Sequence, residues 1–230
     1  MQAKKTSTKH QDQLPEIIRQ KCYHCYRPMS SCMCEEVRPL TNRTKFIILM
    51  HPKEYRKIKN GTGHLTKLSL KDAELYVGID FSEHKQINAL VDDPNNRCFI
   101  LYPSHNSVEL NHHKVVDNDE NLVLFLIDST WACANKMMRL SANLRNLPHL
   151  SFTHTKTSAF AIKEQPREYC LSTIESTQTV LEILTDQGYE SLTQEALEAF
   201  LNPFKAMVSY QLKQLDMHKE EKTSRYRKRD

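Results

Sequence analysis

Glycine is scarce in this chain of 230 residues, which contains only four. None of the four takes part in a G-x-G-x-x-G fingerprint after a strand, and the G-K-[ST] sequence of a P-loop does not occur. The sequence therefore disfavours an ordinary Rossmann nucleotide-binding domain and a P-loop enzyme. A ligand that binds at the edge of a sheet in this protein has to be held by other kinds of loop.

Long apolar runs are also absent from the sequence. No run reaches the roughly 20 residues that cross a bilayer as a helix, and the first residues lack the apolar core of a signal peptide. We therefore expect a cytoplasmic protein with no membrane partner. In that compartment the seven cysteines are more typical of metal ligands or buried thiols than of disulfides.

The hydrophobic pattern is that of an α/β protein. Apolar runs predict strands at 44–50, 75–79, 97–102, 122–127 and 150–152. Helical spacing predicts helices at 83–90, 132–147, 174–185 and 193–219, the last bent near Asn202-Pro203. Strands interleaved with helices predict a mostly parallel sheet with helices on both faces.

Composition divides the chain into four segments. Residues 1–20 are polar, which predicts a disordered or loosely ordered N-terminus, and residues 21–40 contain a cysteine cluster. Residues 41–218 form the α/β domain, and residues 219–230 form a basic tail. Between residues 43 and 71, eight lysines and arginines accompany a single glutamate. Together with the tail, this charge favours RNA or DNA as a partner, although a solvated loop and a frayed tail are the alternative.

The cysteine cluster has the spacing of a metal site. A C-x-x-C pair is followed by a C-x-C pair, so four thiolates within thirteen positions can reach one tetrahedral zinc ion. The predicted ligands are Cys22, Cys25, Cys32 and Cys34. Four protein ligands leave no open position, which makes the predicted zinc structural. The alternatives are free or redox-active thiols and, less favoured, His24 in place of one cysteine.

Polar side chains follow the predicted strands. Asp128-Ser129-Thr130-Trp131, which contains the only tryptophan, follows the most apolar strand and opens a helix. Open α/β sheets bind ligands at such strand ends, although Asp128 or Ser129 could instead cap the helix.

Two further segments could form the walls of the same site. Tyr102-Pro103-Ser104 follows another strand, and Leu171-Ser172-Thr173 precedes a helix. Ser172 and Glu175 also fit a capping box.

Five motifs, taken in order, resemble those of the DTW-domain family. Its members carry a C-x-x-C…C-x-C cluster, then H-P-x-E, Y-P-S, D-x-T-W and L-S-T-x-E. The matches here are the four cysteines, His51-Pro52-Lys53-Glu54, Tyr102-Pro103-Ser104, Asp128-Ser129-Thr130-Trp131 and Leu171-Ser172-Thr173-Ile174-Glu175. The resemblance covers roughly residues 21–190. Each motif is weak alone, but five in order are specific.

The resemblance implies a SPOUT-like fold with a C-terminal trefoil knot and the activity of a tRNA-uridine aminocarboxypropyltransferase. Such an enzyme moves the 3-amino-3-carboxypropyl group of S-adenosylmethionine to N3 of a tRNA uridine and releases methylthioadenosine. S-adenosylmethionine is then the co-substrate, tRNA the partner and zinc a structural ion, and we expect a monomer. A SPOUT-type RNA methyltransferase and a non-catalytic, zinc-stabilised RNA-binding protein stay open as alternatives.

The resemblance also suggests residue roles. Asp128 is the predicted general base, and Glu175 is the second candidate. His51 and Glu54 follow a strand end, where organising a loop is more typical than catalysis. Trp131 either contacts the ligand or packs in the core. The predicted cofactor-binding residues are Leu101, Tyr102, Pro103, Ser104, Asp128, Thr130, Trp131, Leu171, Ser172 and Thr173. The predicted RNA-binding residues are Lys53, Arg56, Lys57, Lys136, Arg139 and Arg167.

Overall fold

A computed structural model of the chain describes residues 20–56, 61–161 and 170–227, with side chains described as far as Met217. The strands are β1 Lys45–Met50, β2 Ala73–Val77, β3 Asn96–Leu101, β4 Val108–Glu109, β5 Asn121–Asp128 and β6 His149–Ser151. The helices are α1 Pro52–Tyr55, α2 Thr62–Leu68, α3 Lys85–Asp92, α4 Trp131–Leu140, α5 Ala142–Arg145, α6 Thr173–Asp186, α7 Gln194–Ala199 and α8 Asn202–Arg227. Two 3-10 turns, Met29–Ser31 and Cys34–Glu36, lie in the cysteine-bearing segment.

The six strands form one sheet in the order β2-β1-β5-β3-β6-β4, and every neighbouring pair is parallel. Successive residues of a strand point to opposite faces. In β1, Phe46 and Ile48 therefore join one core, and Ile47 and Leu49 join the other. Helices α2, α6, α7 and α8 cover the first face, and α3, α4 and α5 cover the second. The predicted parallel sheet with helices on both faces is confirmed.

The five predicted strands are present, each within two residues of its predicted bounds. Strand β4 was not predicted, because two residues at the sheet edge carry no periodic pattern. Helices α1 and α2 were also missed. The predicted helix at 132–147 is two helices, because Ser141 leaves the helical conformation (φ −87°, ψ 89°) and its buried hydroxyl accepts a hydrogen bond from the Phe81 amide at 3.0 Å.

The predicted break near Asn202-Pro203 is confirmed, since α7 ends at Ala199 and α8 begins at Asn202. Helix α8 runs to Arg227, so the basic tail begins as a continuation of this helix. The predicted disordered N-terminus lies outside the described residues, except for Gln20. None of the described helices is both long and apolar enough to cross a bilayer.

Candidate functional site

The carboxyl ends of β1, β5 and β3 lie side by side, because these three strands are adjacent and parallel. Met50, the last residue of β1, is in register with Asp128, the last residue of β5. The next amide, that of His51, donates to the Asp128 carbonyl at 3.1 Å. The polar residues that follow these strands therefore share one edge of the sheet, which is where open α/β sheets bind ligands.

Asp128 is the buried carboxylate of this edge. The hydroxyl of Thr173, the first residue of α6, donates to its Oδ1 at 2.7 Å, which joins two of the three predicted loops. Neither Asp128 nor Ser129 caps α4, because the N-cap residue is Thr130 and the Ser129 hydroxyl donates to the Thr130 carbonyl at 3.1 Å. The Asp128 side chain is thus held across the strand ends by a second element.

Helix α2 contacts the other oxygen of the same carboxylate through a glycine. A Cβ atom at Gly63 would lie 2.4 Å from Asp128 Oδ2 and 2.8 Å from Met50 Cε, so only glycine allows this approach without a shift. Sequence reasoning missed Gly63 and used it only to show that a nucleotide fingerprint was absent. The available signal was a glycine inside a helix, where it costs about 1 kcal/mol relative to alanine.

Aromatic side chains line the edge beside Asp128. Trp131 is 47% exposed, which excludes packing in the core, and its ring lies 6.3 Å from that of Tyr102. Tyr102 is fixed by two contacts: its hydroxyl donates to the Asn135 side-chain oxygen, and its ring meets the His149 ring edge-on at 5.7 Å. The Ser104 hydroxyl lies 2.9 Å from His149 Nδ1. Contact of these residues with a ligand stays a prediction.

The Glu175 carboxylate is saturated by hydrogen bonds. It accepts from the Ser172 amide at 2.8 Å, and the Glu175 amide donates to the Ser172 side chain, which together form the predicted capping box. The Ser172 hydroxyl also donates to the carboxylate, at 2.5 Å. The carboxylate also accepts from the Ser158 hydroxyl at 2.9 Å and the Ala159 amide at 2.7 Å. Glu175 therefore ties a distant loop to the start of α6.

His51 organises the loop after β1, as its position suggested. Its Nδ1 accepts from the Lys53 amide at 3.1 Å and caps α1. Burial, together with the charges of Lys53 and Lys136, lowers the pKa of His51 and keeps the ring neutral. Lysines from α1 and α4 thus bring positive charge to the same edge of the sheet.

Four of the predicted RNA-binding residues are exposed: Lys53, Arg56, Lys136 and Arg139. They lie on α1, just after it, and on α4, the elements that follow β1 and β5. Lys57 and Arg167 lie outside the described residues.

The four predicted ligands Cys22, Cys25, Cys32 and Cys34 form one group whose sulfur atoms all lie within 4.8 Å of one another. Cys22 and Cys34 are 3.6 Å apart, and Cys25 and Cys32 are 3.7 Å apart. Four sulfurs bound to one tetrahedral zinc at about 2.3 Å are about 3.8 Å apart. The cluster therefore fits a tetrahedral metal ion. His24 lies outside this group of four, with its Nδ1 3.4 Å from Cys34 Sγ.

A buried arginine connects the cysteine cluster to the sheet edge. Arg27 is 1% exposed, and its guanidinium donates to the Gly61 carbonyl at 3.4 Å and to Met207 Sδ at 3.2 Å. Gly61 is the N-cap of α2, the helix that rests on Asp128 through Gly63. The cysteine-bearing segment is thus packed against α2 and α8, beside the candidate site.

Comparison with known proteins gives a consistent family match. The sequence model of the DTW domain matches residues 19–212. The tRNA-uridine aminocarboxypropyltransferase 2 of Drosophila melanogaster is 29% identical over 206 residues, which cover 86% of this chain and 77% of that protein. The protein of the same name from Macaca fascicularis is 28% identical over 201 residues, covering 86% of this chain and 65% of that protein. The tRNA-uridine aminocarboxypropyltransferase A of Arabidopsis thaliana is 29% identical over 136 residues, covering 54% and 52%. No solved structure matches the chain.

Proposed function

The chain belongs to the DTW domain family, and on this basis we propose that it is a tRNA-uridine aminocarboxypropyltransferase. The donor is S-adenosylmethionine, the acceptor is N3 of a tRNA uridine, and methylthioadenosine is released. The names of the relatives support the transferred group and the class of RNA. The observation that carries the proposal is the buried Asp128 carboxylate, fixed by Thr173 at the carboxyl edge of a parallel sheet.

Asp128 is the general base in this proposal. Uridine N3–H is a weakly acidic imide, and its nitrogen is a poor nucleophile until the proton leaves, so a positioned carboxylate accelerates the reaction. The proton passes to Asp128, and N3 forms a bond to the γ-carbon of the methionine moiety. The bond between that carbon and sulfur breaks, and its electron pair stays on sulfur. The positive sulfonium thereby becomes the neutral thioether of methylthioadenosine.

Three carbons on the sulfonium sulfur are activated for attack. The carbon that the protein holds in line with uridine N3 is the one that reacts. Residues after β3, after β5 and before α6 would hold the co-substrate. The exposed ring of Trp131 and the half-buried ring of Tyr102 suit an adenine face or the sulfonium charge. Thr130 and Ser172 are the N-cap residues of α4 and α6, and the first backbone amides of a helix can bind polar groups of a ligand. Three loops that hold the co-substrate in this way do not need the G-x-G-x-x-G motif of a Rossmann domain.

We propose zinc as the ion of the cysteine cluster, because four thiolates at tetrahedral spacing are typical of structural zinc. The proposal further includes a SPOUT-like arrangement with a C-terminal trefoil knot, a cytoplasmic location and a monomer. Exposed cations on α1 and α4 contact the tRNA backbone, so affinity for tRNA falls steeply with salt.

The test is transfer by wild-type and Asp128→Asn protein, using unmodified tRNA and labelled S-adenosylmethionine, with nucleosides identified by mass spectrometry after digestion. Asp128→Asn keeps the fold and the co-substrate affinity in calorimetry, but its transfer rate falls by about 10²- to 10⁴-fold. Ser129→Ala is the matched control and stays near the wild-type rate, because among the described residues its hydroxyl donates only to the Thr130 carbonyl. Full activity of Asp128→Asn would overturn the assignment of the base.

The product separates the activities. An aminocarboxypropyl uridine with methylthioadenosine supports the proposal. A methylated nucleoside with S-adenosylhomocysteine would show a methyltransferase. Binding of tRNA without any affinity for S-adenosylmethionine would show a non-catalytic RNA-binding protein.

A further inference from the structure

Three rings from separate segments form a contiguous row beside the candidate site. The His64 ring lies between Tyr26 and Tyr55, with its centroid 6.1 Å from the first and 5.3 Å from the second. His64 is buried, whereas Tyr26 and Tyr55 are 49% and 39% exposed. The two tyrosines therefore rest on a buried ring and present much of their own surface to solvent. We call this row the aromatic row.

The aromatic row lies at the same edge of the sheet as Asp128. His64 directly follows Gly63, whose backbone contacts the Asp128 carboxylate. Tyr55 ends α1, the helix that starts after His51, and the His51 amide bonds the Asp128 carbonyl. Two rings of the row therefore lie on the two segments that contact Asp128: His64 on α2, and Tyr55 on the helix that follows β1.

The backbone of the cysteine-bearing segment holds Tyr26 in place. Tyr26 has a positive φ of 58°, which a non-glycine residue rarely adopts and which turns the chain directly after Cys25. The next residue, Arg27, is buried and donates to the carbonyl that begins α2. The position of Tyr26 is therefore fixed on both sides, and its exposure does not come from a loose loop end.

The charges around the row are suited to a nucleic acid. Burial and the Arg27 charge lower the pKa of His64, which keeps the central ring neutral. Lys53 on α1 and Arg56, directly after the helix, are exposed and lie within two residues of Tyr55, while the half-buried Glu54 lies between them in sequence. Exposed aromatic faces beside cations are the combination that binds unpaired nucleotides, because rings stack on bases and cations contact phosphates.

We infer that Tyr26 and Tyr55 stack on unpaired bases of the tRNA next to the target uridine, while Lys53 and Arg56 contact the adjacent phosphates. The inference rests on the proposed function, since it assumes that the RNA reaches Asp128 from this side. The aromatic row then holds the target nucleotide's neighbours outside a helix and leaves N3 accessible to the carboxylate. Unpaired RNA is the substrate feature that the site selects.

The test measures tRNA affinity by fluorescence titration at one salt concentration. Tyr26→Leu and Tyr55→Leu keep apolar bulk against His64 but remove the ring, and each weakens tRNA binding by roughly 10- to 100-fold. Tyr26→Phe and Tyr55→Phe keep wild-type affinity, because stacking does not need the hydroxyl. The affinity for S-adenosylmethionine, measured by calorimetry, is unchanged in all four variants, which shows that they are folded.

Tyr23→Leu is the matched control. Tyr23 belongs to the same cysteine-bearing segment and is 91% exposed, but it makes no ring contact among the residues that the structure describes. We expect near wild-type affinity from this variant. Arg56→Ala is titrated at several salt concentrations, and we expect it to lower the slope of log affinity against log salt by about one phosphate contact.

Two results would overturn the inference: leucine variants that bind tRNA as wild type does, or a Tyr23→Leu variant that is as weak as Tyr26→Leu. The same measurements distinguish an error in this inference from an error in the proposed function. If wild-type protein transfers the group but the leucine variants bind normally, only the aromatic row is wrongly assigned. If wild-type protein transfers nothing but the leucine variants lose tRNA, the RNA contact stands and the enzymatic proposal fails.

Discussion

Replacing Gly63 by alanine should inactivate the site while leaving most of the stability. The new Cβ would lie 2.4 Å from Asp128 Oδ2, whereas ordinary contact begins at 3.4 Å, so the two groups must separate by 1.0 Å, the difference between these distances. Met50 Cε, at 2.8 Å, is the end of a flexible chain and can move. The carboxylate is less free, because its other oxygen is bonded to Thr173. Either that bond breaks or α2 moves away.

The two energetic consequences of Gly63→Ala differ in size. Overpacking costs about 1 to 3 kcal/mol, and alanine returns about 1 kcal/mol as the better helix residue, so the net loss of stability is about 0 to 2 kcal/mol. A misplacement of about 1 Å at a reacting group lowers a rate by about 10²-fold. We therefore expect a rate about 100 times lower, equivalent to about 2.7 kcal/mol of barrier, in a protein that still folds.

The assay is the initial rate of aminocarboxypropyl transfer to unmodified tRNA, paired with thermal denaturation of the same samples. Gly78→Ala is the control, because its Cβ would meet the Phe81 ring at 2.9 Å on the far side of β1 from Asp128. That variant loses stability but keeps its rate when it is folded. A Gly63→Ala enzyme with the wild-type rate would refute the reasoning that α2 positions the carboxylate.

Three further predictions concern stability. Removing the metal from the cysteine cluster with a chelator should lower the melting temperature, and added zinc should restore it; an unchanged melting temperature would argue against a bound ion. Glu175→Gln should lower the free energy of unfolding by roughly 1 to 3 kcal/mol, because an amide cannot accept all four hydrogen bonds of the carboxylate; denaturant titration measures this loss, and an unchanged midpoint would contradict it. Burial lowers the pKa values of His51 and His64 below the ordinary value of about 6.5. The unfolded chain then binds more protons, so this contribution to stability is complete above about pH 6.5 and is lost as the pH falls below that value and through the lower pKa values of the folded state. His51→Asn should flatten part of this dependence, since asparagine caps a helix without titrating, and identical pH profiles for the two proteins would exclude a contribution from His51.

Much of the fold follows from short-range pattern. Five strands could be predicted from apolar runs, because a strand in a parallel sheet with helices on both faces must be apolar on both sides. The same reasoning placed Asp128 at the end of β5, and the proximity of the four cysteines was predicted from their spacing alone. These features depend on neighbours in the sequence, which is the information that a single chain provides directly.

The rest depends on contacts between distant segments. Nothing near Gly63 in the sequence indicates that its backbone rests on Asp128, and nothing near Thr173 indicates that its hydroxyl bonds the same carboxylate, 45 residues away. The burial of Arg27 was equally invisible, because an arginine in a polar segment is normally exposed. Strand β4 was missed for another reason, since its two residues are a strand only because β6 pairs with them.

The two neighbours of the Asp128 carboxylate have a consequence for biosynthesis. Gly63 precedes the aspartate by 65 residues and Thr173 follows it by 45, while β5 itself pairs with β1. Chains emerge from the ribosome N-terminus first, so a nascent protein that has just completed β5 has the carboxylate without the hydroxyl that orients it. The site is completed only when α6 docks on the finished sheet. A chain that ends before α6 therefore lacks the Thr173 hydroxyl, and its Asp128 carboxylate lacks the hydrogen bond that orients it in the complete fold.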